Sequence, residues 1–130
     1  MIDVEVFGAE LIPEMPTLEE LRCLCVAAAA RMGIEQAHVA IEFVDAPRIA
    51  ELNAKHRGKP VPTDVLSFPI DGVQPTFPRE LGDVVICPQH TADVREAVVH
   101  GMLHLLGMDH EADDGEMLAL QRELLAGAGR

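Results

Sequence analysis

The segment His100-Gly101-Met102-Leu103-His104-Leu105-Leu106-Gly107-Met108-Asp109-His110 limits what this chain can become more than any other stretch of it. His100 and His104 stand four residues apart, so on a helix both imidazoles share one face and reach one cation. Gly107 can take the left-handed conformation that ends such a helix. The chain then turns, and His110 arrives as a third ligand. Three neutral imidazoles leave the fourth tetrahedral position of Zn²⁺ open, which is the arrangement of a catalytic site, with one zinc per chain.

The spacing H-x3-H-x5-H resembles the metzincin protease signature, glycine included. It departs at Gly101, which stands where those proteases carry the glutamate that activates water. A residue without a side chain cannot be a general base. The segment therefore reads as a zinc-hydrolase cradle that lacks the peptidase's base.

The rest of the chain supplies a small α+β domain, residues 1–130, with a mixed sheet of about four strands covered by helices and a zincin-like metal helix. Ile2 to Phe7 alternates apolar and acidic residues as a half-buried strand does. Thr17-Leu18-Glu19-Glu20 fits a capping box, and Gly33 closes the helix that follows. Val39–Val44 predicts a strand, Pro47 to about Asn53 a short helix, and Val65–Phe68 and Leu81–Cys87 two more strands. Ile70 to Arg79 reads as a loop. A helix from about Thr91 to Leu106 turns Val94, Val98, Val99, Met102 and Leu105 to the core. A last helix, about Asp113 to Leu125, buries Met117, Leu118, Leu120, Leu124 and Leu125.

Charge narrows the partners. The net charge of −12 argues against broad binding of a polyanion. Yet the only two lysines, Lys55 and Lys59, flank Arg57 in one basic loop, Lys55-His56-Arg57-Gly58-Lys59. An acidic body with one basic spot can seat a single phosphate. With four Phe and no Trp or Tyr, stacking of bases on an aromatic platform is not expected. The amino terminus has no basic region of a signal peptide, and no apolar run approaches the roughly 20 residues of a membrane span, so a cytoplasmic, non-membrane protein is expected. Three cysteines without C-x-x-C spacing, Cys23, Cys25 and Cys87, read as reduced packing residues.

Three strings in order resemble the YbeY family: Arg57-Gly58-Lys59-Pro60-Val61-Pro62-Thr63-Asp64-Val65-Leu66-Ser67-Phe68-Pro69, then Leu81-Gly82-Asp83-Val84-Val85-Ile86-Cys87, then the histidine segment with Glu111 behind it. The segment between Cys87 and His100 is shorter than is usual in that family, and Met108 replaces a more usual aromatic residue. The resemblance implies a zinc-dependent single-strand endoribonuclease acting in 3′-end maturation of 16S ribosomal RNA and in ribosome quality control. Its metal ligands fall on His100, His104 and His110, and its functional arginine on Arg57. Ribosomal RNA and the small ribosomal subunit are the partners it implies; the acidic surface also suits a basic ribosome-associated protein.

Arg57 offers a guanidinium fork for two phosphate oxygens, and Lys59 a point charge nearby. Thr63, Asp64 and Ser67 are candidates to line the substrate cleft, although Thr and Asp beside prolines are also ordinary turn residues. Ser67 has no base partner and is not read as a nucleophile. Asp109 fits either a carboxylate that fixes a ligand's tautomer or a turn residue. Glu96 is a candidate base or a solvated helix residue, and Glu111 is equally open. His38 and His90 read as structural or surface residues; His56 is of interest only beside Arg57. Two other functions remain: a non-catalytic ribosome assembly factor with a structural zinc, and a zinc hydrolase such as a peptidase, which Gly101 disfavours. Metal removal separates the first from catalysis, because a structural zinc holds the fold.

Overall fold

The computed structural model describes residues 2–13, 16–70, 79–109 and 111–128. Four strands form one mixed sheet in the order β1-β2-β4-β3: β1 (Ile2–Phe7), β2 (Ala37–Phe43), β3 (Val65–Pro69) and β4 (Arg79–Ile86). β1 and β4 both run parallel to β2, and β3 is an antiparallel edge strand beside β4. Four helices complete the α+β domain: α1 (Leu18–Arg31), α2 (Ala46–Arg57), α3 (Val94–Leu105) and α4 (Glu116–Ala128).

The two faces of the sheet are covered unequally. On one face α1, α3 and α4 enclose the main core, where Leu21, Val39, Ile41, Val84, Ile86, Met102 and Leu103 are fully buried. On the other, α2 covers only the β3–β4 half, through Ile49 against Leu66, Val85 and Cys87. Val84, Val85 and Ile86 thus divide between the two faces, as a period of two requires.

α1 starts at the expected capping box: the Thr17 hydroxyl accepts from the Glu20 N–H at 3.1 Å, and the Glu20 carboxylate accepts from the Thr17 N–H. That carboxylate also accepts from Arg95 on α3 at 2.6 and 2.9 Å, which ties the starts of two helices together. The Arg95 bond, and then the Thr17 N–H, hold the Glu20 carboxyl below its ordinary range.

Several element ends differ from expectation; β4 starts at Arg79, the last residue of the expected loop, of which residues 71–78 lie outside the described residues. α2 runs on to Arg57, so Lys55, His56 and Arg57 form its last turn and are not a loop. Basic side chains suit that end of a helix, where the backbone carbonyls concentrate negative charge. α3 starts three residues late, because Pro88 to His90 turns on its own and Asp93 is the cap, accepting from Arg95 N–H at 3.0 Å. β2 begins at Ala37, paired with Ile2 and Arg79. α4 starts at Glu116, with Leu118 exposed and Leu120 and Leu125 only half-buried. Cys25 and Cys87 are buried, and burial pushes the Cys25 thiol up to about 12, but Cys23 is exposed and is no packing residue.

Candidate metal centre

The histidine helix is built on contact with the sheet. Gly101 is buried, and a Cβ there would stand 2.5 Å from Cγ1 of Val84 on β4. The Ser67 hydroxyl of β3 donates to the Gly101 carbonyl at 3.0 Å. The position that holds a glutamate in the metzincin pattern therefore faces the sheet here. A large side chain would push the helix off β4. Ser67 anchors this helix, a role that the sequence did not suggest.

His100 and His104 project from the other side of α3, their ring centroids 4.7 Å apart. Their Nε2 atoms lie 3.1 Å from each other. Two nitrogen ligands of one tetrahedral zinc are about 3.3 Å apart, so this pair fits a shared cation without rearrangement. Behind His100, Oε1 of Gln121 on α4 lies 2.8 Å from Nδ1. α3 ends as expected. Gly107, at φ +96°, hydrogen-bonds through its N–H to the His104 carbonyl at 3.0 Å. His110, the expected third ligand, lies outside the described residues.

A cleft of about 510 Å³ opens over this pair, and Arg57, Thr63, Asp64, Ser67, Asp109 and Glu111 line it together with His100 and His104. Arg57 reaches it because α2 stops there. Gly58, at φ +72°, caps the helix and turns the chain. The buried Asn53 side chain then pins the returning segment, donating to the Val61 carbonyl at 3.0 Å.

The other candidates fare differently. Lys59 is exposed and is not among the residues that line this cleft. Thr63 lines it with its hydroxyl donating to Asp64 at 3.3 Å. Asp64, expected either in the cleft or as a turn residue, does both: it lines the cleft and accepts from the Val65 N–H at 2.8 Å. Asp109 accepts from the Glu111 N–H at 3.0 Å, which is the turn role. Glu96 is exposed and lines a smaller neighbouring cavity on the far side of His100. His56 leaves the cleft altogether and packs on Phe68, ring centroids 4.6 Å apart.

A second group of possible donors, Asp3, Glu5 and His38, brings ligand atoms within 4.8 Å of one another on the open face of the sheet. There both ring nitrogens of His38 already meet carboxylates, Glu80 at Nδ1 and Glu5 at Nε2. The hydrogen bond to Glu80 chiefly, with a lesser contribution from Glu5, holds the imidazole's affinity for protons above its ordinary level, although burial opposes it more than the Glu5 bond supports it.

The fold and cleft define a class: a small α+β domain in which a histidine pair of metal-ligand geometry shares a cleft with an arginine. Comparison with known proteins narrows it. The family model described as "Endoribonuclease YbeY" matches residues 15–129. A protein of that name from Rubrobacter xylanophilus is 38% identical over 124 residues, spanning 91% of this chain and 86% of the other. One from Beutenbergia cavernae is 40% identical over 125 residues, 76% of this chain and 83% of the other. The solution structure of TM1509 from Thermotoga maritima matches with a TM-score of 0.59 and 26% identity, covering 96% of this chain and 88% of that one. The chain belongs to the YbeY family.

Proposed function

We propose that this protein is a zinc-dependent, single-strand-specific endoribonuclease that acts in the cytoplasm on the 3′ end of 16S ribosomal RNA, in maturation and ribosome quality control. The observation that carries the reading is the convergence of Arg57 with His100 and His104 in one cleft. The name borne by its relatives supports the same reaction class.

His100, His104 and His110 would hold the zinc, one ion per chain. When bound, it would supply Lewis-acid polarisation of a phosphoryl oxygen or a water of pKa about 7. Arg57, in the same cleft, donates a planar fork to two oxygens of the scissile phosphate and offsets the charge that builds there. Asp64, Asp109 and Glu111 repel the remaining phosphates, so the strand is held at one linkage and not along its length. Thr63 lines the same cleft and is placed to contact the ribose or phosphate beside that linkage; Lys59 acts at the rim. The net charge of −12 makes a basic ribosomal partner, within the small subunit, the means of delivering the RNA.

The test is incubation of zinc-loaded protein with ribosomal RNA that carries an unprocessed 3′ end, beside His104→Ala and Arg57→Ala proteins made identically. Cleavage by the parent and by neither variant supports the reading. Equal cleavage by all three identifies a contaminant. No cleavage even with ribosomes present shifts the assignment to an assembly factor.

A further inference from the structure

Among the described residues, Asn53 and Gln121 are the buried polar side chains. Gln121 is the less expected of the two. It sits on the apolar stripe of α4, four residues after Met117 and three before Leu124, both buried, and is itself only 7% exposed. A primary amide in such a place costs free energy unless it is hydrogen-bonded. Its oxygen meets Nδ1 of His100 at 2.8 Å.

That contact has a chemical consequence for the ring. An amide oxygen only accepts, so Nδ1 must carry the proton, and the lone pair of the neutral imidazole is left on Nε2. Nε2 is the atom turned toward Nε2 of His104. Rotating the amide by half a turn would present its NH₂ to Nδ1 and drive the ring proton onto Nε2. The two orientations of one buried amide therefore correspond to two tautomers of His100, and only one of them can ligate through Nε2.

We propose that Gln121 is the positioning residue of the metal centre: from α4 it selects the Nδ1–H tautomer of His100 and fixes the direction of its Nε2 lone pair. The inference rests on the metal-centre reading above. It assigns the last helix a part in the site, although none of its described side chains lines the main cleft.

Zinc affinity, by competition with a chromogenic chelator, tests it in the parent protein and in Gln121→Leu and Gln121→Glu. The leucine variant continues the apolar stripe and should bind zinc about 10- to 100-fold more weakly, while its metal-free form melts no lower than the parent. The glutamate variant still accepts from Nδ1–H and should restore affinity to within a few fold of the parent. Nitrogen-15 spectra of the zinc-loaded parent give an independent reading, with His100 bound through Nε2 and a protonated Nδ1. Parent-like affinity in the leucine variant, or ligation of His100 through Nδ1, overturns the proposal. Failure of the parent itself to bind zinc overturns the metal-centre reading beneath it.

Discussion

Two groups of metal-capable side chains lie on opposite faces of one sheet, and they are put to different uses. In the cleft, His100 turns one nitrogen to a buried amide and the other toward His104. On the open face, His38 spends both nitrogens on carboxylates and becomes a clamp between β1, β2 and β4. The number of donors does not distinguish them. What distinguishes them is what stands behind each imidazole: a neutral acceptor leaves a lone pair for a cation, whereas two anions stabilise an added proton.

The sharpest test of that contrast is metal content. His104→Ala should lose zinc binding and with it cleavage, by about three orders of magnitude or more, whereas His38→Ala should keep one zinc per chain and parent-like cleavage. Loss of zinc in His38→Ala would break the comparison. Next in size, Arg57→Ala should lower kcat by about 10²–10³ with zinc content unchanged. Arg57→Lys should recover only part of it, since an ammonium cannot present the same fork. Single-turnover kinetics on a defined RNA reads both.

Smaller effects fall on stability. Gly101→Ala places a methyl group 2.5 Å from Val84 and should cost about 1–3 kcal/mol in urea unfolding, because helix and strand must part. The smallest effect concerns the clamp. The folded state raises the proton affinity of His38, so its stabilisation is complete below the ordinary histidine value of 6.5 and is lost as pH rises through the higher folded value. His38→Ala should thus be less stable than the parent by about 1 kcal/mol or less at pH 5.5, and the gap should close toward pH 9. A gap that widens with pH would mean that the carboxylates, not the imidazolium, set the stability there.

Local chemistry explains what could be read in advance. The alternation of Ile2 to Phe7, the Thr17–Glu20 box and Gly107 each act over a few residues, and all three appear where expected. The Lys55-His56-Arg57 run is ambiguous in sequence, because clustered charge suits a loop and also the last turn of a helix, where the structure has it. Ser67 and Gln121 were illegible for another reason. Their partners, the Gly101 carbonyl and His100, are distant in sequence and meet them only through tertiary packing. One trace of Gln121 was visible: a glutamine among Met117, Leu120 and Leu124 interrupts an otherwise apolar stripe. Gly101 was noticed for the side chain it lacks, but the cause, Val84 pressed against the helix, needed the strand in place.

The strand order has a consequence for the protein as it is made. β2 pairs with β4, not with β3, so the centre of the sheet cannot close until the chain has been synthesised through Ile86. The α2–β3 segment, with Arg57 upon it, leaves the ribosome before the strand it docks against and before either histidine. A nascent or truncated chain that stops short of β4 therefore holds the arginine but no cleft. Arg57 and the His100–His104 pair come into one cleft only after α3 has been made, so chains that stop before it carry no assembled cleft.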